Sequence, residues 1–176
     1  MGIYETSTNI DHIDEAITQW SRVTPPVDAS PMQILGRLHR LYLRYAAAIN
    51  TTFQEFGINS ASFDVLATLK RSGKPYTLTP SELAQSSLVT TAGITIRLDR
   101  LEASRLVRRT RDSSDRRVVH ASLTPAGLSL VTKVSAIHFA REEAMLAGLS
   151  AHQRAELQRL LRELGYSFDQ YESCPP

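Results

Sequence analysis

The sequence contains a single cysteine, Cys174, the third residue from its end. One cysteine can build neither a disulfide framework nor a zinc cluster. No run approaches the ~18 consecutive apolar residues that span a bilayer. The first residues show no basic region followed by an apolar stretch, so no secretion signal is predicted. These absences predict a cytoplasmic protein without a membrane anchor.

Catalytic and cofactor motifs are missing as well. The five histidines are scattered, and there is no His-Glu-x-x-His, glycine-rich phosphate loop, Gly-x-Ser-x-Gly or Cys-His arrangement. The sequence therefore predicts a protein that is not an enzyme and that needs no metal or cofactor. Its 176 residues are enough for one domain with a dimerisation extension.

Positive charge is concentrated in one segment. The chain as a whole carries a net charge of only +2, but residues 97–117 hold eight arginines and four acids. That segment is therefore +4 (8 − 4), and the remainder of the chain is −2. Such a cluster indicates a local anion-binding surface. A solvated helix end rich in salt bridges is the alternative, and charge alone does not separate the two.

Apolar spacing predicts a mainly α fold with a small β wing. Residues 79–104 form two short helices joined by a tight turn, because Thr79 and Glu82 make a capping box and Ile94, Leu98 and Leu101 share one helical face. Residues 106–124 then read as two strands around a polar loop. This pattern predicts a winged helix-turn-helix. The second of the two short helices is expected over residues 91–104. Other predicted helices cover 11–22, 31–56, 60–71, 125–146 and 151–171, and the residues expected to cap the last four of these are Ser30, Ser60, Thr124 and Ser150.

These elements divide the chain into an N-terminal extension, residues 1–29, with an added helix, and a winged domain, residues 30–172. Helices in 31–56 and 125–172 carry more apolar surface than a small winged domain can cover. We therefore expect them to be helical dimerisation arms. A two-fold dimer would favour a pseudo-palindromic operator in double-stranded DNA. An intrachain helical bundle is the alternative.

The winged segment has the chemistry that DNA binding needs. A helix fits the major groove, and small polar side chains near its first turn reach base edges. Thr90, Thr91 and Thr95 occupy that position. Arg116 and Arg117 at the wing tip can enter the adjacent minor groove. An ordinary helix pair with a surface hairpin is the alternative.

Several separated motifs resemble the MarR family of transcription regulators. They are the helix-turn-helix, residues 97–102, the wing Asp115-Arg116-Arg117, and the segment from Leu123 to Gly127. The resemblance covers roughly residues 31–165. It implies a DNA-binding regulator, most simply a repressor. The wing position that is often arginine in the family is Ser114 here, so one charged contact is missing.

A narrower resemblance points to the PecS/MftR/HucR branch, the urate-responsive regulators. It rests on the added helix with Trp20 and on residues 63–73. In that branch the ligand is associated with a tryptophan, an aspartate and two arginines, which match Trp20, Asp64, Arg97 and Arg109. The resemblance implies that a small anionic ligand, urate or a related purine such as xanthine, weakens DNA binding. Stacking on Trp20 and donation by the arginines suit a flat anion.

Other interpretations of these residues stay open at this point. Trp20 alone is typical of a core anchor, Asp64 suits the first turn of a helix, and the two arginines could contact phosphate. Phenolic acids are alternative ligands, Cys174 could sense oxidants, and His39 with His120 could bind a metal. A DNA-binding protein without any ligand is the remaining alternative.

Overall fold

The computed structural model describes residues 10–86, 93–115 and 117–173. Thr90, Thr91, Arg116 and Cys174 lie outside the described residues. The chain divides into two compact units, with the boundary between Glu55 and Phe56. The first unit contains helices α1 (His12–Val23) and α2 (Met32–Gln54). Among the described residues, none of the helices combines the length and the hydropathy of a transmembrane span.

Ion pairs connect the two helices of the first unit. Asp11 caps α1, and its side chain accepts hydrogen bonds from the backbone N–H groups of Ile13 and Asp14. Arg37 on α2 donates to the same Asp11 carboxylate from Nε at 3.0 Å and from Nη2 at 3.1 Å. A second ion pair joins Arg37 to Asp14 at 2.9 Å. The α1 cap is thereby fixed to the first half of α2.

The second unit holds the remaining elements. Its helices and strands are α3 (Ser60–Arg71), β1 (Thr77–Leu78), α4 (Pro80–Ser86), α5 (Ile94–Ala103), β2 (Val107–Arg111), β3 (Val119–Leu123), α6 (Pro125–Met145) and α7 (Ala151–Ser173). The predicted mainly α architecture with a β wing is confirmed. The predicted start of α5 at residue 91 cannot be compared, because residues 87–92 lie outside the described part.

Strand β1 was not predicted from the sequence. β1 pairs antiparallel with β3, which also pairs with β2, so the sheet order is β1-β3-β2. Thr77 lies opposite Ser122, and their hydroxyls are 2.7 Å apart. A two-residue strand has no periodicity of its own. Its conformation comes from a partner that is distant in the sequence.

Helix caps follow the sequence closely, with exceptions. Thr79 and Glu82 form the predicted capping box, since the Thr79 N–H donates to Glu82 at 2.7 Å and the Glu82 N–H donates to Thr79 Oγ1 at 3.2 Å. Asn59, one residue before the predicted Ser60, caps α3. The expectation that Ser30 caps α2 is wrong, because its hydroxyl donates to Asp28 instead.

The core of the second unit lies between α3, α4, α5, α6 and the wing sheet. Its fully buried side chains come from every one of these elements, in agreement with the apolar spacing of the sequence. They include Val65, Leu66, Leu69, Leu83, Leu98, Val107, Ala121, Val131 and Val134.

Helices α2 and α7 leave many of their apolar side chains exposed. In α2 these include Ile34, Leu41 and Tyr42, and α7 has no buried residue along its 23 positions. Contiguous apolar patches on a protein surface mark interaction sites.

Candidate nucleic-acid interface

α5, here termed the recognition helix, is the second helix of the predicted helix-turn-helix. It begins after Gly93, whose φ of +90° places it in the left-handed region that glycine adopts without strain. Leu98 and Leu101 are buried and fix the helix to its unit, which includes α3 and α4 packed against it. Thr95 and Ile96 are exposed near the first turn. The predicted base-contacting residue Thr95 therefore lies on the open face.

The wing is the β2–β3 hairpin, and one carboxylate organises its tip. Asp112 Oδ1 accepts hydrogen bonds from the backbone N–H of Ser114 at 2.7 Å and of Asp115 at 3.0 Å. His120 Nε2 lies 3.1 Å from the other oxygen. Arg117, which follows the loop, is exposed. The hydrogen bonds to Asp112 therefore fix the loop that precedes the exposed Arg117.

Hydrogen bonding also sets the charge state of this loop. The Ser114 hydroxyl, the backbone N–H groups of Asp115 and Ser114, and His120 hold the pKa of Asp112 well below its ordinary 3.8. These partners stabilise the charged form of the carboxyl. Asp112 is therefore ionised at every pH at which the protein would bind DNA.

Arg109 ties the wing to the recognition helix. Its Nε donates to Glu102 Oε2 at 2.8 Å, and its Nη1 pairs with Asp99 Oδ1 at 2.7 Å. The Arg109 guanidinium holds the pKa of Glu102 below its ordinary value. Asp99 and Glu102 are three residues apart and so lie on one side of α5. Neither residue is among those predicted from the sequence. Their three-residue spacing and the short connection from α5 to β2 nevertheless indicate that both carboxylates can face the first wing strand.

Arg97 lies on another side of the recognition helix. It precedes Asp99 by two residues, which corresponds to about 200° around the helix axis. Its Nη1 atom is buried, and within residues 10–86, 93–115 and 117–173 it has no hydrogen-bond partner. Buried guanidinium donors are normally satisfied. This atom is the one donor of the predicted ligand set that is both buried and unused in the described part of the chain.

The other two predicted ligand residues have contrasting environments. Asp64 is buried on α3, which packs against α5. Trp20 is 47% exposed on α1, in the first unit. The structure therefore places Asp64 and Arg97 on neighbouring helices of one unit, while the contacts of Arg109 are with Glu102 and Asp99.

Comparison with known proteins identifies the family. Residues 56–118 match the model described as MarR family. The chain is 33% identical over 149 residues to the HTH-type transcriptional regulator PecS of Dickeya dadantii, covering 85% of this chain and 90% of the relative. The chain belongs to the MarR family. A second relative is the HTH-type transcriptional repressor MdtR of Bacillus subtilis, 33% identical, with 68% of this chain and 80% of that protein covered.

Solved structures agree with the MarR assignment. BpsR of Bordetella bronchiseptica superposes with a TM-score of 0.66 at 26% identity, covering 76% of this chain and 98% of that one. Wild-type MarR from E. coli gives a TM-score of 0.60 at 26% identity, with 74% and 95% covered. The predicted winged helix fold is thereby confirmed. This MarR-family chain is a DNA-binding transcription regulator, and its relatives are regulators rather than enzymes.

Proposed function

We propose that this regulator is a homodimeric repressor whose DNA binding is weakened by a small anionic ligand, urate or a related purine such as xanthine. In this proposal the ligand contacts Trp20, Asp64, Arg97 and Arg109. The observation that carries it is the Nη1 atom of Arg97 on α5, which is buried and has no hydrogen-bond partner among the residues that the structure describes. An anion there would satisfy a donor whose burial is otherwise unfavourable.

The DNA-binding half of the proposal uses the open face of the winged segment. Thr90, Thr91 and Thr95 would reach base edges in the major groove. Arg116 and Arg117 would enter the minor groove beside it. The exposure of Thr95 and Arg117 supports these roles.

In this proposal Arg109 couples ligand binding to DNA binding. In the present arrangement its guanidinium is held by Glu102 and Asp99. An anion that draws Arg109 away would break the tie between β2 and α5. The wing and the recognition helix would then lose their fixed relation, and DNA affinity would fall. Couplings between two sites are typically ~1–3 kcal/mol.

Exposed apolar helices support the dimer. Leu157, Leu160 and Leu161 on α7 are each more than two-fifths exposed in the single chain. Ile34 and Leu41 on α2 are exposed by 63% and 59%. Burying such surfaces against a second copy would stabilise the assembly by the hydrophobic effect. A two-fold dimer would place two recognition helices on a pseudo-palindromic operator.

A relative supports the class of ligand. The solved structure of BpsR concerns the regulation of its DNA binding by 6-hydroxynicotinic acid. That molecule, like urate, is a flat heteroaromatic compound that ionises to an anion. A small aromatic anion is therefore a reasonable effector for a regulator with this fold.

The test measures operator binding with and without purines. Fluorescence anisotropy of DNA from the region upstream of the gene is followed with urate, xanthine and hypoxanthine. Urate should lower the affinity of the unmodified protein. Trp20→Ala should bind DNA normally but need about tenfold more urate, which corresponds to the loss of one aromatic contact. Val23→Ala changes an exposed residue of the same helix and should respond as the unmodified protein does.

Two results would contradict the proposal. If all three purines leave operator affinity unchanged, ligand sensing by purines is wrong. If Trp20→Ala responds to urate exactly as Val23→Ala does, the assignment of Trp20 to the ligand site is wrong.

A further inference from the structure

Arg37 on α2 holds the beginning of α1. Its guanidinium forms a bidentate pair with Asp11, at 3.0 and 3.1 Å, and a further pair with Asp14 at 2.9 Å. The backbone carbonyl of Gln33, one turn earlier on α2, accepts from Arg37 Nη1 at 2.9 Å. A guanidinium can serve two carboxylates at once because its donors form a planar fork. We call Arg37, Asp11 and Asp14 the α1 clasp.

The α1 clasp coincides with the N-terminal cap of α1. The Asp11 side chain also accepts from the backbone N–H groups of Ile13 and Asp14, and Asp14 Oδ2 accepts from the Asp11 N–H at 3.0 Å. The Asp11 N–H and the Arg37 guanidinium hold the pKa of Asp14 below its ordinary 3.8, so this carboxylate is charged at neutral pH. An isolated helix of 12 residues is marginal in water. The contacts of the first turn with α2 therefore help to fix the direction of α1.

Apolar packing between the two helices is concentrated at the same end. Ile13 is 7% exposed, and it lies so close to Gly36 that a Cβ there would be 3.0 Å from Ile13 Cδ1. Ile17 and Trp20 continue the stripe of Ile13 at helical spacing. Burial decreases along this stripe, since Ile17 is half-buried and Trp20 is 47% exposed. Helix α1 is therefore packed closely at its beginning and less closely at the end that carries Trp20.

The position of Trp20 follows from the direction of α1. Trp20 comes six residues after Asp14, which corresponds to about 9 Å along the helix axis. We infer that Arg37 is a positioning residue, which sets the direction of α1 and thereby places Trp20 for a flat ligand. Stacking depends on the distance and the tilt between the rings, so a displaced indole would bind less well. The ligand part of this inference rests on the proposed function, whereas the placement of Trp20 by Arg37 does not.

Four variants probe the α1 clasp. Arg37→Gln removes the guanidinium, and Arg37→Lys keeps the charge without the planar fork. Asp11→Asn removes one carboxylate but keeps a helix cap, since asparagine caps as well as aspartate does. Arg40→Gln removes the same charge as Arg37→Gln from an exposed position one turn further along α2, and it is the matched control.

The first measurement needs neither ligand nor DNA. Trp20 is the sole tryptophan of the sequence, so its fluorescence reports on α1 in the unlabelled, full-length protein. The acrylamide quenching constant should rise in Arg37→Gln by at most about twofold, because Trp20 is already 47% exposed. Asp11→Asn and Arg37→Lys should raise it less, and Arg40→Gln should leave it unchanged. Adding Asp11→Asn to Arg37→Gln should raise it no further, since both changes remove the same interaction.

The second measurement is the release of operator DNA by urate. Arg37→Gln should bind the operator as the unmodified protein does but need about two- to fivefold more urate for release, the range expected when exposed ion pairs are lost. In a Trp20→Ala background the same substitution should have no further effect, because Arg37 acts through Trp20. An additional loss in that background would give Arg37 a different role and overturn the inference.

The two measurements separate this inference from the proposed function. If Arg37→Gln raises the quenching constant while no purine alters operator binding, the placement of Trp20 by Arg37 is supported and the purine proposal is wrong. If urate releases DNA but Arg37→Gln behaves as Arg40→Gln does in both measurements, the purine proposal stands and the inference about Arg37 is wrong.

Discussion

The Glu102 carboxylate accepts hydrogen bonds from both the backbone and the side chain of Arg109. The Arg109 N–H donates to Glu102 Oε1 at 3.0 Å, and its Nε donates to Oε2 at 2.8 Å. One carboxylate at the end of the recognition helix therefore fixes the orientation of the first wing strand. Arg109 is exposed by 29% at its side chain and Glu102 by 37%, so solvent weakens the pair without removing it.

This pair leads to the first prediction. Glu102→Gln should raise the operator dissociation constant about two- to fivefold, because the wing is less firmly placed beside the helix. The measurement is fluorescence anisotropy at fixed salt. Glu156→Gln removes the same negative charge from an ion pair of similar geometry on α7, its pair with Arg159, and should leave the dissociation constant unchanged. Equal effects of the two variants would show that net charge, not wing placement, is responsible.

The wing tip supports a second prediction, on salt dependence. Arg117→Ala should weaken operator binding and should reduce the slope of log affinity against log salt by about 0.9, the value expected for one lost phosphate contact. Arg22→Ala removes an exposed arginine of α1 and should not alter the slope. An unchanged slope in Arg117→Ala would exclude that residue from the DNA contact.

Gly127 provides a prediction about stability. A Cβ at this position would collide with the carbonyl group of Leu106, which also accepts the N–H of Thr124 at 3.1 Å. Gly127→Ala should therefore lower the free energy of unfolding by about 2 kcal/mol or more. Urea denaturation measures this. Gly148→Ala, whose added Cβ meets nothing within 4 Å, is the matched control and should not be destabilised. Equal stability of the two variants would contradict the close approach.

Local features of this structure could be predicted from the sequence, whereas contacts between distant residues could not. The caps at Thr79 and Thr124 are local, since each side chain bonds an N–H three residues ahead, and both were predictable. β1 was not, because Thr77 takes its conformation from Ser122, 45 residues away. The chain order likewise could not show that Arg109 pairs with the carboxylates of α5. Which charges meet across elements is decided by the packing of helix against sheet.

The exposed face of α7 yields a prediction about assembly. Leu160 is 46% exposed in the single chain, so Leu160→Glu should leave the fold of the monomer intact. If this face is buried in the dimer, the charge would be unpaired there, and the dimer should dissociate. Light scattering coupled to size-exclusion chromatography should then give the mass of one chain. Gln170→Glu on the same helix is the control and should remain dimeric. A dimeric Leu160→Glu would place the interface elsewhere.

The last prediction concerns pH and the wing loop. Because the folded-state pKa of Asp112 lies below its ordinary 3.8, its hydrogen bonds contribute stability that is fully present above the ordinary value. That contribution is lost only as the pH falls below 3.8 and through the lowered pKa. The NMR signal of the Asp112 carboxyl carbon should therefore still report the ionised form at pH 3.8, where an unperturbed aspartate is half protonated. It should shift to the protonated form only in more acidic solution.

Asp112→Asn tests the same loop at neutral pH. The neutral amide oxygen is a weaker acceptor than the charged Oδ1 that holds both N–H groups, so the amide protons of Ser114 and Asp115 should exchange faster with solvent. Asp169→Asn on α7 removes the same charge away from the wing and should leave them unchanged. An Asp112 carboxyl carbon signal that is already midway to the protonated form at pH 3.8 would contradict a lowered pKa. Equal exchange in the two variants would show that Asp112 does not hold the tip, and the presentation of Arg117 would then need another cause.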